Sequence, residues 1–182
     1  MQTLKFLTMS FIIVLLSACG TTYSIISDRE DGIDFDQYKT YLVLQHDHGF
    51  PTGANPINHQ RIDRAIDANM QELGYLQEKN PDLLIAWFVK VETKKDVMTY
   101  QNYYRRWNVP TTINVYEYQE GSLVIDIIDP KIGQVVWHGK ASDRVYDDMP
   151  NIDKKIKEVV KSMFRRYKKD TGIVASDFAV IN

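Results

Sequence analysis

The stretch Gly121-Ser-Leu-Val-Ile-Asp-Ile-Ile-Asp129-Pro-Lys-Ile-Gly133-Gln-Val-Val-Trp137-His138-Gly139 carries two apolar runs separated by five residues of turn chemistry. Ser122 to Ile128 is rich in β-branched side chains, and Gln134 to Ser142 carries Val135, Val136 and Trp137; such residues suit a pleated, half-buried surface. Between them Asp129-Pro130-Lys131-Ile132-Gly133 supplies a turn opener, a fixed φ and a residue free to take positive φ. This hairpin fixes a sheet in the C-terminal half, and the rest of the domain is read outward from it.

Upstream, Leu83 to Val91 (LLIAWFVKV) is apolar on both alternating faces and reads as a central strand, entered through the turn Asn80-Pro81-Asp82. Thr111 to Tyr118 reads as another strand, set off from Ser122 by Gly121. Tyr38 to Leu44 makes a first strand, followed by a glycine- and proline-containing loop from Gln45 to Pro56. Two segments have helical periodicity instead. Ile62, Ala65, Ile66, Asn69, Met70 and Leu73 fall on one face of Asn58 to Leu73, Asn69 being its one polar member at the margin, with Gly74 as the stop. Ile152, Ile156, Val159, Met163 and Tyr167 do the same near the C-terminus, where Arg165, Arg166, Lys168 and Lys169 suit the negative helix end. The order β-α-β-β-β-β-α predicts an α+β fold: two layers, with a mixed or antiparallel sheet of about five strands and both helices on one face.

The N-terminus reads differently. Lys5 precedes the apolar run Phe6 to Leu16 and the small residues Ser17 and Ala18, the plan of a secretory signal. Thirteen residues from Phe6 to Ala18 fall short of the ~20 that a membrane-spanning helix needs. Leu16-Ser17-Ala18-Cys19 resembles the lipobox of bacterial lipoproteins. That resemblance implies a diacylglyceryl group on the Cys19 thiol and cleavage before Cys19. Multiple acyl chains at about 0.8 kcal/mol per buried CH₂ make such anchoring stable. Residues 1–18 are therefore expected to be a lipoprotein signal peptide and 19–33 a tether. The folded domain is expected over 34–169, with 170–182 as a C-terminal tail. Gly20 rather than aspartate after Cys19 favours, by resemblance to sorting in enterobacteria, the outer membrane with the domain facing the periplasm.

Composition narrows the function classes. The chain has 22 basic and 24 acidic residues, which gives no electrostatic footprint for nucleic acid. Cys19 is the only cysteine among 182 residues, so no disulfide is expected and stability rests on packing.

Asp34-Phe35-Asp36-Gln37-Tyr38-Lys39-Thr40-Tyr41, the helix ending Glu72-Leu73-Gly74-Tyr75, Asn80-Pro81-Asp82-Leu83-Leu84-Ile85-Ala86-Trp87 and the hairpin together resemble the bacterial lipoproteins carrying domain of unknown function 4136 (DUF4136). The resemblance runs over about Asp34 to Tyr167. It implies an α+β fold and a lipid anchor and brings no catalytic residues. In its motifs Gly74 and Gly133 read as turn residues, and Trp137 and Tyr38 as core.

Candidate chemistry is sparse. Phosphate loops, nucleophile elbows and HExxH are missing. His46-Asp47-His48 offers two imidazoles and a carboxylate that could ligate a metal, without a visible third or fourth protein ligand. Asp28 onward fails as a calcium loop, because Ile33 and Lys39 stand where Gly and Glu are required. Asp126 and Asp129 fall near His138 across the hairpin, a pair of types able to do acid–base work; the competing reading is a turn opener and a solvent-facing imidazole. The strongest surface signal is Tyr100-Gln-Asn-Tyr103-Tyr104-Arg105-Arg106-Trp107. Aromatic planes beside guanidinium groups grip glycans, peptides and acidic groups by stacking and bidentate hydrogen bonds. The expectation is a membrane-anchored, non-catalytic module without cofactor that binds an envelope protein or glycan. The alternative is an envelope hydrolase using His46/His48 or Asp126/His138.

Overall fold

The computed structural model describes residues 23–44, 53–100, 112–145 and 150–173, with side chains over 23–44, 53–95, 117–145 and 150–173. Six strands, β1 (Ser24–Arg29), β2 (Thr40–Val43), β3 (Leu76–Gln77), β4 (Leu83–Tyr100), β5 (Thr112–Asp129) and β6 (Gln134–Val145), form one open sheet. Their order is β1-β6-β5-β4-β2-β3. Helices α1 (Pro56–Glu72) and α2 (Ile152–Thr171) complete the domain. The sheet is mixed: β2 runs parallel to β3 and β4, and the other pairings are antiparallel. This is the α+β architecture that the sequence predicts, with one strand more.

The extra elements have physical causes. Ser24–Arg29 lies in the stretch expected to be tether, yet it pairs with β6 from Ser24↔Ser142 to Arg29↔Trp137. Only Ile25 and Ile26 are apolar there, so the strand exists because β6 offers an unpaired edge, not because its own pattern demands it. Tyr38 ends a 3-10 turn (Phe35–Gln37) capped by Asp34, which accepts from the Asp36 N–H, and the strand proper starts at Thr40. Gly121 does not divide two strands: β5 runs through it unbroken, opposite Val91 on one side and Asp143 on the other. At the C-terminus, α2 continues past Lys169 to Thr171.

The hairpin is as expected, with two refinements. Asp129 accepts from the Lys131 N–H at 2.7 Å and the Gly133 N–H reaches the Asp129 carbonyl at 2.9 Å, with Gly133 at φ 66°. A bulge between Ile127 and Ile128 breaks the alternation, which lets Val136 and Trp137 both be buried although they are neighbours.

The core lies between one sheet face and the helices. Leu83, Ile85, Trp87, Ile125, Ile127 and Trp137 meet Ile62, Ile66 and Met70 of α1 and Val160, Met163, Phe164 and Tyr167 of α2. Burying each such large side chain contributes about 1.5–3 kcal/mol. Trp137 and Tyr38 are core residues, as the motif reading expects. Gly139 has a role that reading omits: the six-membered ring of the Trp137 indole packs against it, and a Cβ there would come within 2.2 Å of the ring.

Candidate functional site

β4 and β5 are the longest strands, and they outrun their neighbours. Among the described residues, pairing of β5 with β6 runs to Gln119↔Val145, whereas β4 and β5 continue from Thr93↔Gln119 to Tyr100↔Thr112. The result is a two-stranded arm reaching about 24 Å past the last β6 rung, at ~3.4 Å per residue. Thr93, Tyr and Val residues favour extended backbone here, and cross-strand contacts brace the arm's base. Gln119 donates to Thr93 Oγ1 at 3.0 Å, Lys95 meets Glu117 at 2.8 Å, and the Arg144 guanidinium sits 4.2 Å from the centre of the Tyr118 ring. Lys90 and Lys94 both bond Glu92 and hold its carboxyl below the usual range. Such exposed pairs are screened by solvent and orient the side chains more than they stabilise the fold.

Of the aromatic–arginine segment, Tyr100 is the final residue of β4. Tyr103, Tyr104, Arg105, Arg106 and Trp107 lie outside the described residues, as do Cys19, His46 and His48.

Asp126 and His138 are brought together. They stand opposite one another in the β5–β6 ladder, and Asp126 Oδ1 lies 2.6 Å from His138 Nδ1. On the other side of β6, Asp28 is the register partner of His138. The imidazole is 43% exposed. Asp129, by contrast, turns inward and accepts from the Tyr38 hydroxyl at 2.9 Å. Burial, reinforced by this carboxylate, pushes the Tyr38 phenol up to about 12. So Asp129 and His138 do not share a site, and Asp129 braces the hairpin against the segment before β2. Among the described residues no three His, Cys, Asp or Glu side chains are grouped to hold a metal ion.

One cleft escapes the sequence reading. A groove of about 610 Å³ opens between the sheet and the first turns of both helices, lined among others by Tyr23, Val89, Val91, Leu123, Ile156 and Val159. Its signal in the sequence is the inward alternation Val89, Val91 and Leu123, which continues beyond the points where Pro56 and Ile152 begin their helices. Tyr23 guards one wall: its hydroxyl lies 2.7 Å from Ser162 Oγ, and Lys155 sits 4.9 Å from its ring centre. Neither Asp126 nor His138 lines this groove.

An open mixed sheet with two helices and a long β4–β5 arm defines the class of fold. Residues 25–167 match the family model described as domain of unknown function (DUF4136), and the chain belongs to that family. Among solved structures, it is similar to a PDZ domain protein from Parabacteroides distasonis, with 19% identity and a TM-score of 0.55. That likeness covers 87% of this chain and 39% of the other, so the chain spans about two fifths of its length. A weaker likeness is to a PelC dodecamer from Paraburkholderia phytofirmans, with 8% identity, a TM-score of 0.47 and coverage of 78% and 93%. Another is to a minor lipoprotein from Acinetobacter baumannii, with 7% identity, a TM-score of 0.34 and coverage of 73% and 91%. No curated protein matches the sequence. No helix among the described residues is long and apolar enough to cross a membrane.

Proposed function

We propose that the protein is a non-catalytic binding module of the bacterial cell envelope, held by lipid on Cys19 at the outer membrane with its domain in the periplasm. It uses Tyr100, Tyr103, Tyr104, Arg105, Arg106 and Trp107 to grip an envelope protein or glycan. The observation that carries this reading is the arm. An isolated two-stranded ribbon is at best marginally stable in water, and its length serves no purpose in the core. A role at its far end accounts for it, and the residues joining β4 to β5 are the aromatic–arginine segment. Stacking on Tyr and Trp with bidentate bonds from Arg gives contact area and orientation together.

The test compares partners cross-linked to the native chain in intact cells with those of an Arg105→Ala/Arg106→Ala/Trp107→Ala variant. Circular dichroism serves as the check on folding. Loss of one or more specific partners is expected, and an unchanged set overturns the reading. A second reading rests on the 2.6 Å Asp126–His138 contact, a carboxylate–imidazole pair able to move a proton. Against it, the pair stands on the sheet face away from the helices and apart from the groove.

A further inference from the structure

The chain as a whole is slightly acidic, with a formal charge of −2, but α2 is not. Its twenty residues hold eight lysines and arginines against three carboxylates. The imbalance is concentrated on one side. Lys154, Lys157, Lys161, Arg165 and Lys168 are exposed and recur at intervals of three and four, so they form one ridge along the outer face. The adjoining face buries Val160, Met163, Phe164 and Tyr167. Among the described residues, Lys161, Arg165 and Lys168 have no carboxylate within ion-pair distance, whereas Lys157 is paired with Asp153 at 2.6 Å.

The ridge is bordered by two features. On one flank, a groove of about 540 Å³ between α1 and α2 places Arg61 and Arg64 beside Lys157 and Lys161, with Asp153 and Glu72 as its carboxylates. On the other flank Tyr23 is bonded to Ser162 and to the Glu158 carbonyl. Tyr23, the first described residue, therefore lies against α2, and Cys19 stands four residues before it in sequence, a span of at most about 14 Å.

We propose that the outer face of α2, together with Arg61 and Arg64 of α1, docks on the phosphate headgroups of an anionic lipid surface. Juxtamembrane lysines and arginines are drawn to such surfaces within a Debye length. A cationic ridge beside the tether lies where that attraction acts. Docking would lay the helix layer on the lipid and leave the other sheet face and the arm directed into the compartment. Only the short distance to the bilayer rests on the lipid-anchor reading; the charge distribution does not.

The experiment uses the native chain extracted from membranes, bound to phosphatidylcholine vesicles with or without phosphatidylglycerol. Lysine accessibility to an amine-reactive reagent is read by peptide mass spectrometry. Labelling of Lys157, Lys161 and Lys168 is expected to fall about threefold or more on the anionic vesicles alone. It should recover in ~1 M salt, where the Debye length is about 3 Å. The protection should also vanish in a Lys161→Gln/Arg165→Gln/Lys168→Gln variant, whose exposed changes keep good helix formers. Equal labelling on both vesicles overturns the proposal. Equal protection by inorganic phosphate without vesicles reassigns the ridge to a free anion and also overturns it. Protection by a soluble acidic peptide but not by vesicles does the same. If the chain sediments with anionic but not neutral vesicles, the lipid-anchor reading fails while the docking face stands.

Discussion

The indole N–H of Trp137 donates to Asp170 Oδ2 at 3.2 Å, tying the first half of β6 to the last turn of α2. The same oxygen accepts from Ser27 Oγ at 2.6 Å, and Arg166 reaches the other carboxylate oxygen at 3.2 Å. One side chain thus joins β1, β6 and α2. Asp170→Ala leaves the buried indole N–H without its acceptor and should cost about 1–3 kcal/mol. At about 2–4 °C per kcal/mol for a domain of this size, thermal melting should show a loss of roughly 2–12 °C. Melting unchanged within a degree would show that the junction carries no stability.

Gly139 is required by its neighbour two residues back. A methyl at this position meets the Trp137 ring at 2.2 Å, and the ring is 1% exposed with nowhere to move. Gly139→Ala should therefore destabilise by about 1–3 kcal/mol through overpacking. Measured by urea denaturation, Gly139→Ala combined with Trp137→Leu should cost less than the sum of the two single changes. Additive losses would mean the two positions are not coupled.

The sequence makes the hairpin and both helices legible because each carries its own local code: alternation around a turn for one, 3.6-residue periodicity for the others. The motif Val-Trp-His-Gly is visible too, but the reason for its glycine is not, since it depends on how the indole lies. β1 is hidden for a similar reason. Ser24–Arg29 has little apolar pattern, and it becomes a strand through the edge of a partner more than a hundred residues away. Gly121 misleads in the opposite direction, because a glycine flanked by two good strands looks like a break until the ladders on both sides are seen. Of the candidate sites, Asp126 and His138 are placed together by the hairpin register alone. The basic ridge of α2 was readable only as helix-end charge until burial showed which lysines face outward.

The Tyr75 and Tyr167 hydroxyls lie 3.0 Å apart in the core, where both phenols are raised by burial. Removing one hydroxyl strands the other, so Tyr75→Phe should cost about 1–3 kcal/mol. Tyr75→Phe with Tyr167→Phe removes both polar groups and should recover part of that loss. A double variant less stable than either single one by a full additive increment contradicts this pairing.

Asp82 gives the fold an acid-sensitive joint. Its Oδ2 accepts from the Lys39 and Thr40 N–H groups and the Thr40 hydroxyl, and Oδ1 meets Lys131 at 3.0 Å. The Lys39 backbone bond and then the Lys131 side chain lower its pKa to about 2. A depressed folded-state pKa stabilises above the unfolded value, about 3.9, and the gain disappears as pH falls through about 2. After allowance for solvent screening of the Lys131 contact, the contribution is about 1 kcal/mol. Stability measured from pH 5 to pH 2 should fall less steeply in Asp82→Asn than in the native chain. Parallel profiles would remove Asp82 as the cause.

The proposed lipid anchor is separable from the folded domain. Cys19→Ser should abolish incorporation of labelled fatty acid while leaving the fold of the remaining chain intact. Continued fatty-acid labelling of the serine variant would end the lipid assignment.

The central claim is that the tip of the β4–β5 arm is the binding surface, and a photo-reactive amino acid tests it most directly. Placed at position 104 in the full chain in living cells, it should give discrete cross-linked adducts on irradiation. The same group at position 88, on the open sheet face, should not give those adducts. Adducts from position 88 with none from position 104 would contradict the account and move the binding surface to the sheet.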